Sequence, residues 1–512
     1  MITRRGRFRS IFLDHLPRSF DVTRSTSRLN LFKWLLRLIV LVVLVAVTII
    51  LGAAVSARSR IPELKPWHHL VPAAEVHASD VGPTFTLDDY LARERKVFDE
   101  VRTRIENQLA AEERLYANRY DREGLASPSR LERDWNRTFE LAAAAPSCAA
   151  LLIHGLTDSP YSMRAIATRL HTDGCHVLAP RMPGHGAVPG GLTDSSWQDW
   201  DAVVHLGVRH LRKRVGPGVP LTIVGYSNGG ALAVKYALDV LEDPALPRPD
   251  RLVLISPMIG VSPLASLARL VGALGVVPYF EKTKWLDVLP EYNPFKFNSF
   301  PTHATVQTAV FTRALQRQID RLAADGRLAG MPPALTFQSL VDATVDAYAV
   351  VTRFYAKLAR NGSELVVFDI NRLAGLDAFM RPSDRQLLDR LMQRSGRNFR
   401  LTVMTNLNHA SLNVVARSGD PGSSDVTETA TDLAWPSDTF SLSHIALPFP
   451  PDDPVYGRSP DESLGKIVRL GLLSPRGERA VLVAPVDVLM RVSSNPFYRY
   501  LEEKTRTWVE RR

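Results

Sequence analysis

Residues 220–241 read PLTIVGYSNGGALAVKYALDVL. An apolar run, Leu221 to Val224, leads into Gly225-Tyr226-Ser227-Asn228-Gly229, and a helical pattern begins at once with Gly230-Ala231-Leu232. Gly-x-Ser-x-Gly on its own occurs by chance. Set between a strand and a helix, it predicts a sharp, strained turn that lifts the serine hydroxyl out of the sheet, where close backbone packing demands small residues. The helix N-terminus behind the turn adds a positive partial charge where an oxyanion would develop. Ser227 is therefore the candidate nucleophile; the alternative is a Gly-rich turn of purely structural use.

The flanking sequence has a regular rhythm. CAALLIHG (148–155), CHVLAP (175–180) and RLVLISPM (251–258) read as short buried strands, while SMRAIATRLHTDG (162–174) and SWQDWDAVVHLGVRHLRKRV (196–215) read as helices. Alternation at these lengths predicts right-handed βαβ units and a mostly parallel sheet covered on both faces, an α/β fold. Between 259 and 331 the rhythm breaks into apolar and aromatic sequence, read as an insertion over the C-terminal edge of the sheet. It resumes with PALTFQSLVDATV (333–345), a helix over 346–360 and SELVVFDI (363–370). A second insertion, about 372–440, is expected to hold a helix (384–394) and a hairpin made of FRLTVMTN (399–406) and SLNVVAR (411–417). RAVLVAP (479–485) and a helix over 497–512 close a domain spanning 131–512.

An oxyanion needs two backbone donors. The amide of Asn228, next to the nucleophile, is one candidate. The Leu156 amide, in the loop His154-Gly155-Leu156-Thr157-Asp158, is the other, since Gly155 permits close backbone approach. Asp342 stands at the end of a strand beyond the first insertion and is the candidate acid; Asp346 falls where a helix start already favours a carboxylate. His154 and His185 read as structural loop residues, and Trp197 and Trp200 as helix packing.

HGLTDSPYSMR, RMPGHG, DSSWQDW and GYSNGG, in that order over about 140–260, resemble the monoacylglycerol lipase and bacterial carboxylesterase branch of the α/β-hydrolases. The resemblance implies a mainly parallel sheet, a helical lid (here 259–331) and cleavage of carboxylic esters by Ser, Asp and His in that chain order. It maps Ser227 to the nucleophile and Leu156 and Asn228 to the oxyanion amides. No histidine follows SELVVFDI directly, where a minimal family member has its base. Two remain downstream: His409 in NLNHASLN, where a hairpin turn is expected, and His444 in SLSHIALPFP. A serine just ahead of the histidine and small apolar residues after it resemble the family's final motif, so His444 is favoured and His409 is the alternative base. The separation of about 100 residues from Asp342 departs from the family pattern.

The net charge of +10 is concentrated at the start of the chain. The first 37 residues hold nine Lys/Arg against two Asp, or +7, which argues for membrane topology and against a nucleic-acid-binding face on the folded domain. Leu38 to Val55 carries no charge, and about 18 to 20 apolar residues match a bilayer core. The expected organisation is a basic cytoplasmic segment (1–30), a single transmembrane helix (31–56), a linker with an amphipathic helix (57–130), and the exported catalytic domain on the periplasmic side of a bacterial inner membrane. Val55-Ser56-Ala57 resembles a signal cleavage site, but the basic region and apolar run are both long for a signal peptide. Cys148 and Cys175, the only cysteines, lead into expected neighbouring strands; they are either a disulfide or two separate buried thiols.

These residues predict a membrane-anchored serine hydrolase acting on carboxylic esters. The apolar residues over 264–280 suit acylglycerol, lysophospholipid or similar lipid-like substrates, or else simply pack the lid. No metal or cofactor is required, and the His and Cys spacings do not resemble a zinc site. The rival readings are an acyltransferase, thioesterase or peptidase using the same triad, and a catalytically silent membrane-tethered interaction module.

Overall fold

The computed structural model describes residues 32–45, 61–260, 278–379, 396–461, 465–474 and 489–511, with isolated positions 48, 49, 52, 55, 382, 386 and 463. The chain divides into two units, Met1–Ser56 and Ala57–Arg512. In the first, residues 32–45 are helical and expose their apolar side chains, among them Phe32, Trp34, Leu41 and Leu44. Among the described residues no helix is long and apolar enough to cross a membrane. The expected transmembrane segment is described only in part, so it is not seen as one continuous span.

The second unit is built on a ten-stranded sheet. In chain order its strands are β1 (Phe139–Leu141), β2 (Cys148–Ile153), β3 (Cys175–Ala179), β4 (Leu221–Tyr226) and β5 (Arg251–Ile255). After a two-stranded ribbon, β6 (Trp285–Asp287) with β7 (Phe300–Pro301), come β8 (Ala334–Ser339), β9 (Glu364–Phe368), β10 (Arg400–Asn406), β11 (Asn413–Gly419) and β12 (Thr427–Ala434). The spatial order is β1-β3-β2-β4-β5-β8-β9-β10-β11-β12. Every pairing from β3 to β10 is parallel, and the two flanks are antiparallel. From β2 the chain adds β3 on one side and then crosses to β4 on the other. That reversal opens a crevice beyond the carboxyl ends of β2 and β4, where α/β sheets bind ligands.

The central strands are apolar on both faces because both are covered. Ala149, Leu151 and Ile153 of β2, with Leu221 and Ile223 of β4, pack under helices α3 (Trp197–Val215), α4 (Asn228–Glu242) and α5 (Thr302–Ala324). Ala150, Leu152 and Val224 face the other way, under α2 (Arg164–Thr172) and α7 (Tyr498–Glu510). A further short helix, α6 (Ala347–Arg353), follows β8. Trp200 of α3 is fully buried and Trp197 stacks on Phe311 at 5.4 Å, consistent with packing roles.

Three expectations change in detail. The amphipathic helix expected over 86–115, α1 (Leu87–Arg104), follows Thr86, whose hydroxyl accepts from the Asp89 amide in a capping box, but it stops at Arg104 and short turns follow. It docks on the main core through Tyr90, and Val97 and Val101 pack in a separate cluster with Ala187 and Val188. Second, the hairpin expected in the insertion 372–440 forms as β10 and β11, and it joins the main sheet: β10 pairs parallel with β9, and β12 continues beyond β11. Pairing of β10 satisfies backbone groups that β9 would otherwise leave at an open edge. The helix expected at 384–394, the strand at 479–485 and the apolar stretch 264–277 fall almost wholly outside the described residues. Third, Cys148 and Cys175 are disulfide-bonded. They are register partners on β2 and β3 with Cα atoms 4.4 Å apart, within bridging range.

Candidate active site

Ser227 lies between β4 and α4 with φ 55° and ψ −115°. Its amide donates to the Ile255 carbonyl at 2.9 Å, and its own carbonyl accepts from Gly230 (3.0 Å) and Met258 (3.0 Å). These bonds clamp the turn between β5 and the first turn of α4. The glycines around it are sterically required: a Cβ on Gly229 would lie 2.1 Å from the Ile153 carbonyl oxygen, and one on Gly225 would lie 2.3 Å from that of Gly229. Among the described residues, the only non-glycine residues with positive φ are Thr157, Ser227 and Ser256, each just beyond the carboxyl end of a strand (β2, β4 and β5). Such conformations cost about 1–3 kcal/mol each and cluster at functional sites.

Asp342 lies three residues beyond β8, and His444 begins a short 3₁₀ turn (His444–Ala446). His444 Nδ1 is 2.7 Å from Asp342 Oδ2, and both side chains are buried. Asp342 Oδ2 also accepts from Ser256 Oγ (3.0 Å) and Gln338 Nε2 (3.2 Å), while Oδ1 accepts the amides of Thr344 (2.7 Å) and Val345 (2.9 Å). Burial opposes the charge of this carboxylate, but His444 and the two amides outweigh it and hold Asp342 below the usual aspartate range. A carboxylate so bound directs the imidazole proton to Nδ1 and leaves Nε2 as an acceptor. The turn before His444 is anchored by Ser339 Oγ, which donates to the Leu442 carbonyl at 2.8 Å.

Ser227 and His444 line one cavity of about 770 Å³, together with Leu156, Tyr226 and Met258. Neither the Leu156 nor the Asn228 amide donates to another group among the described residues. The structure thus brings Ser227, His444 and Leu156 to a common cavity, with Asn228 adjoining Ser227 and Asp342 behind the imidazole. His409 stands apart, exposed in the turn between β10 and β11. Asp346 caps α6 by accepting the Tyr348 amide at 2.8 Å. His154 is buried and accepts from the Met182 amide at 3.0 Å, and burial, with His185 close by, holds its imidazole well below the ordinary range. His185 stacks edge-on against Trp200 and His154. Ser256 and Gln338 escaped the sequence reading because nothing marks a serine or glutamine whose role is to support a carboxylate reached only through tertiary contact. Among the described residues Asp201, His205 and Asp239 have metal-like spacing, but Lys235 Nζ sits 2.5 Å from both Asp239 oxygens and fills the place of a cation.

Residues 150–417, more than half the chain and running from β2 to β11, match the model of the alpha/beta hydrolase family. The chain belongs to the alpha/beta hydrolase family. Its similarities fall in the monoacylglycerol lipase and esterase branch. The thermostable monoacylglycerol lipase of Bacillus sp. (strain H-257) is 27% identical over 202 residues, 38% of this alpha/beta hydrolase and 70% of the relative. Among solved structures, a soluble variant of the Saccharomyces cerevisiae monoglyceride lipase is 13% identical with a TM-score of 0.35, over 45% of this chain and 81% of that one. The Paleococcus ferrophilus monoacylglycerol lipase is 16% identical with a TM-score of 0.34, over 45% and 87%. In this hydrolase the family match covers Ser227 and Asp342 and ends before His444.

Proposed function

We propose that this alpha/beta hydrolase is a serine carboxylester hydrolase that uses Ser227 as nucleophile, His444 as base and Asp342 as the orienting acid. The observation that carries the reading is the 2.7 Å pair of His444 Nδ1 with Asp342, whose imidazole faces the same cavity as Ser227. In this reading His444 Nε2 takes the Ser227 proton as Oγ attacks the acyl carbonyl. The amides of Leu156 and Asn228 hold the oxyanion, and protonated His444 returns its proton to the leaving alkoxide. Water, deprotonated by the same imidazole, then releases the acyl group. Asp342 keeps the imidazole in the required tautomer and stabilises its charged form throughout.

A lipid-like ester is the proposed substrate class. The cavity volume suits an acyl chain, and Met258, Leu286, Leu289 and Phe300 give it an apolar wall. Residues of the insertion 259–331 contribute to that wall, which supports reading it as a lid. The N-terminal basic segment followed by the charge-free run Leu38–Val55 supports an anchor with a cytoplasmic N-terminus and an exported catalytic domain. The test is a series of esters of increasing acyl length. Decanoyl and dodecanoyl esters are expected to give a higher kcat/KM than acetyl esters, and a strict preference for acetyl would overturn the lipid-like assignment.

A further inference from the structure

We infer that the ester cleaved at Ser227 carries an anionic group, phosphate or carboxylate, and that Lys296 and Arg491 receive it. This rests on the ester-hydrolase reading above and specifies its substrate. Lys296 and Arg491 both line the cavity that Ser227 and His444 share, and neither is engaged in a hydrogen bond or ion pair among the described residues. Cations that the fold uses structurally are paired. Arg181, more deeply buried than either, holds Glu75 in a two-point contact at 2.8 and 3.0 Å and reaches Glu94 at 3.2 Å.

The two free cations sit on separate segments of the chain, close enough for Arg491 to act electrostatically on Lys296. Next to Lys296, the Phe297 amide donates to the Thr157 carbonyl at 2.8 Å, which ties this segment to the loop bearing the Leu156 amide. Next to Arg491, the Val492 carbonyl accepts the hydroxyl of Ser443, the residue before His444, and Ser493 Oγ donates to the Tyr456 carbonyl at 2.9 Å. Asp158 is the carboxylate that faces Lys296, without forming an ion pair, while Arg491 repels it. The cavity lining itself holds two cations and one carboxylate, the exposed Asp287, while the buried Asp158 lies outside it. Burial, with Arg491 adding to it, disfavours the charged form of Lys296; an entering anion relieves both effects. Leu286, Leu289, Phe300, Leu470 and Leu473 line the rest, so the cavity matches an amphiphile with one acyl chain and one anionic group. Charge-assisted bonds to phosphate or carboxylate in such a partly dry site discriminate strongly against a neutral analogue.

The full-length protein is assayed on three esters with one acyl chain: dodecanoylglycerol, dodecanoylglycerol phosphate and dodecanoyl glycolate, the last bearing a carboxylate. At least one anionic ester is expected to exceed the neutral one in kcat/KM by about tenfold or more. Lys296→Met and Arg491→Gln are each expected to cut that ratio by about tenfold, mainly through KM, while Lys296→Arg retains it. The arm that wins identifies phosphate or carboxylate. A wild-type enzyme that prefers the neutral ester, or a ratio unmoved in both charge-removing variants, overturns the inference. Fluorophosphonate labelling of the same samples separates the layers. Labelled, active enzyme without anionic preference sinks this inference alone; wild type that takes no label and cleaves no ester sinks the serine-hydrolase reading beneath it.

Discussion

At Ser227, Thr157 and Ser256 the backbone adopts conformations that non-glycine residues rarely occupy, and the surrounding bonds show why they persist. The Ser227 carbonyl is tied to Gly230 and Met258, the Thr157 carbonyl to Phe297, and Ser256 directs its hydroxyl to Asp342. The strain is thus spread over groups that hold the proposed nucleophile, oxyanion loop and acid in one arrangement. Asp342 accepts five hydrogen bonds, so an amide in its place would turn a donor toward donors and favour the wrong imidazole tautomer. Asp342→Asn is expected to lower kcat by up to about 10⁴-fold with little change in KM, read by steady-state kinetics on a soluble ester. A fall in KM-dependent binding alone would point to a different role. Ser227 was legible because strand, glycines and helix sit within one short stretch, and Asp342 because it ends a strand with helical sequence behind it. His444 could be weighed only against His409, since the long excursion through β10–β12 hides which histidine returns to the sheet. Lys296 and Arg491 were not legible at all: they are nearly 200 residues apart, and a lone cation in a loop carries no local pattern.

At the scale of elements, the first edge of the sheet is held by a charge cluster. Glu140 of β1 accepts from His176 of β3 at 2.6 Å and His210 of α3 at 3.0 Å, with Arg214 at 3.8 Å. The His210 hydrogen bond, against the opposing effect of burial and with help from His176, holds the Glu140 carboxyl down at about 2. Its folded value lies below its unfolded one, so this carboxylate stabilises the fold fully above about pH 4.5 and loses that contribution as pH falls toward about 2. Glu140→Gln is therefore expected to lower stability at neutral pH, with the difference from wild type shrinking as the pH drops, measured by urea denaturation across a pH series. A constant difference at all pH values would show that the charge is not the cause. The parallel core was legible from apolar runs of strand length, since strands buried on both faces lose the alternation of half-exposed ones. The extension through β12 was not, because β12 (Thr427–Ala434) exposes most of its side chains and lacks a buried face to mark it. The Cys148–Cys175 bond depends on register between neighbouring strands, which spacing alone leaves open. A disulfide of this kind typically adds about 2–4 kcal/mol to stability.

For the whole molecule, the charge distribution divides the chain as the contact pattern does, with the basic and apolar N-terminal unit ending at Ser56. If the N-terminal run anchors the protein, the full chain expressed in a bacterium with two membranes is expected in the inner-membrane fraction. Protease added to spheroplasts is then expected to digest the catalytic domain from outside; protection of that domain until the cells are lysed would refute the proposed orientation. The central claim, that the chain is a serine hydrolase centred on Ser227, is tested most directly by covalent labelling of the full-length protein with a fluorophosphonate probe. The account predicts labelling of wild type and of His409→Ala, strongly slowed labelling of His444→Ala, and none of Ser227→Ala. Wild type that stays unlabelled, or label that persists in Ser227→Ala, would contradict it.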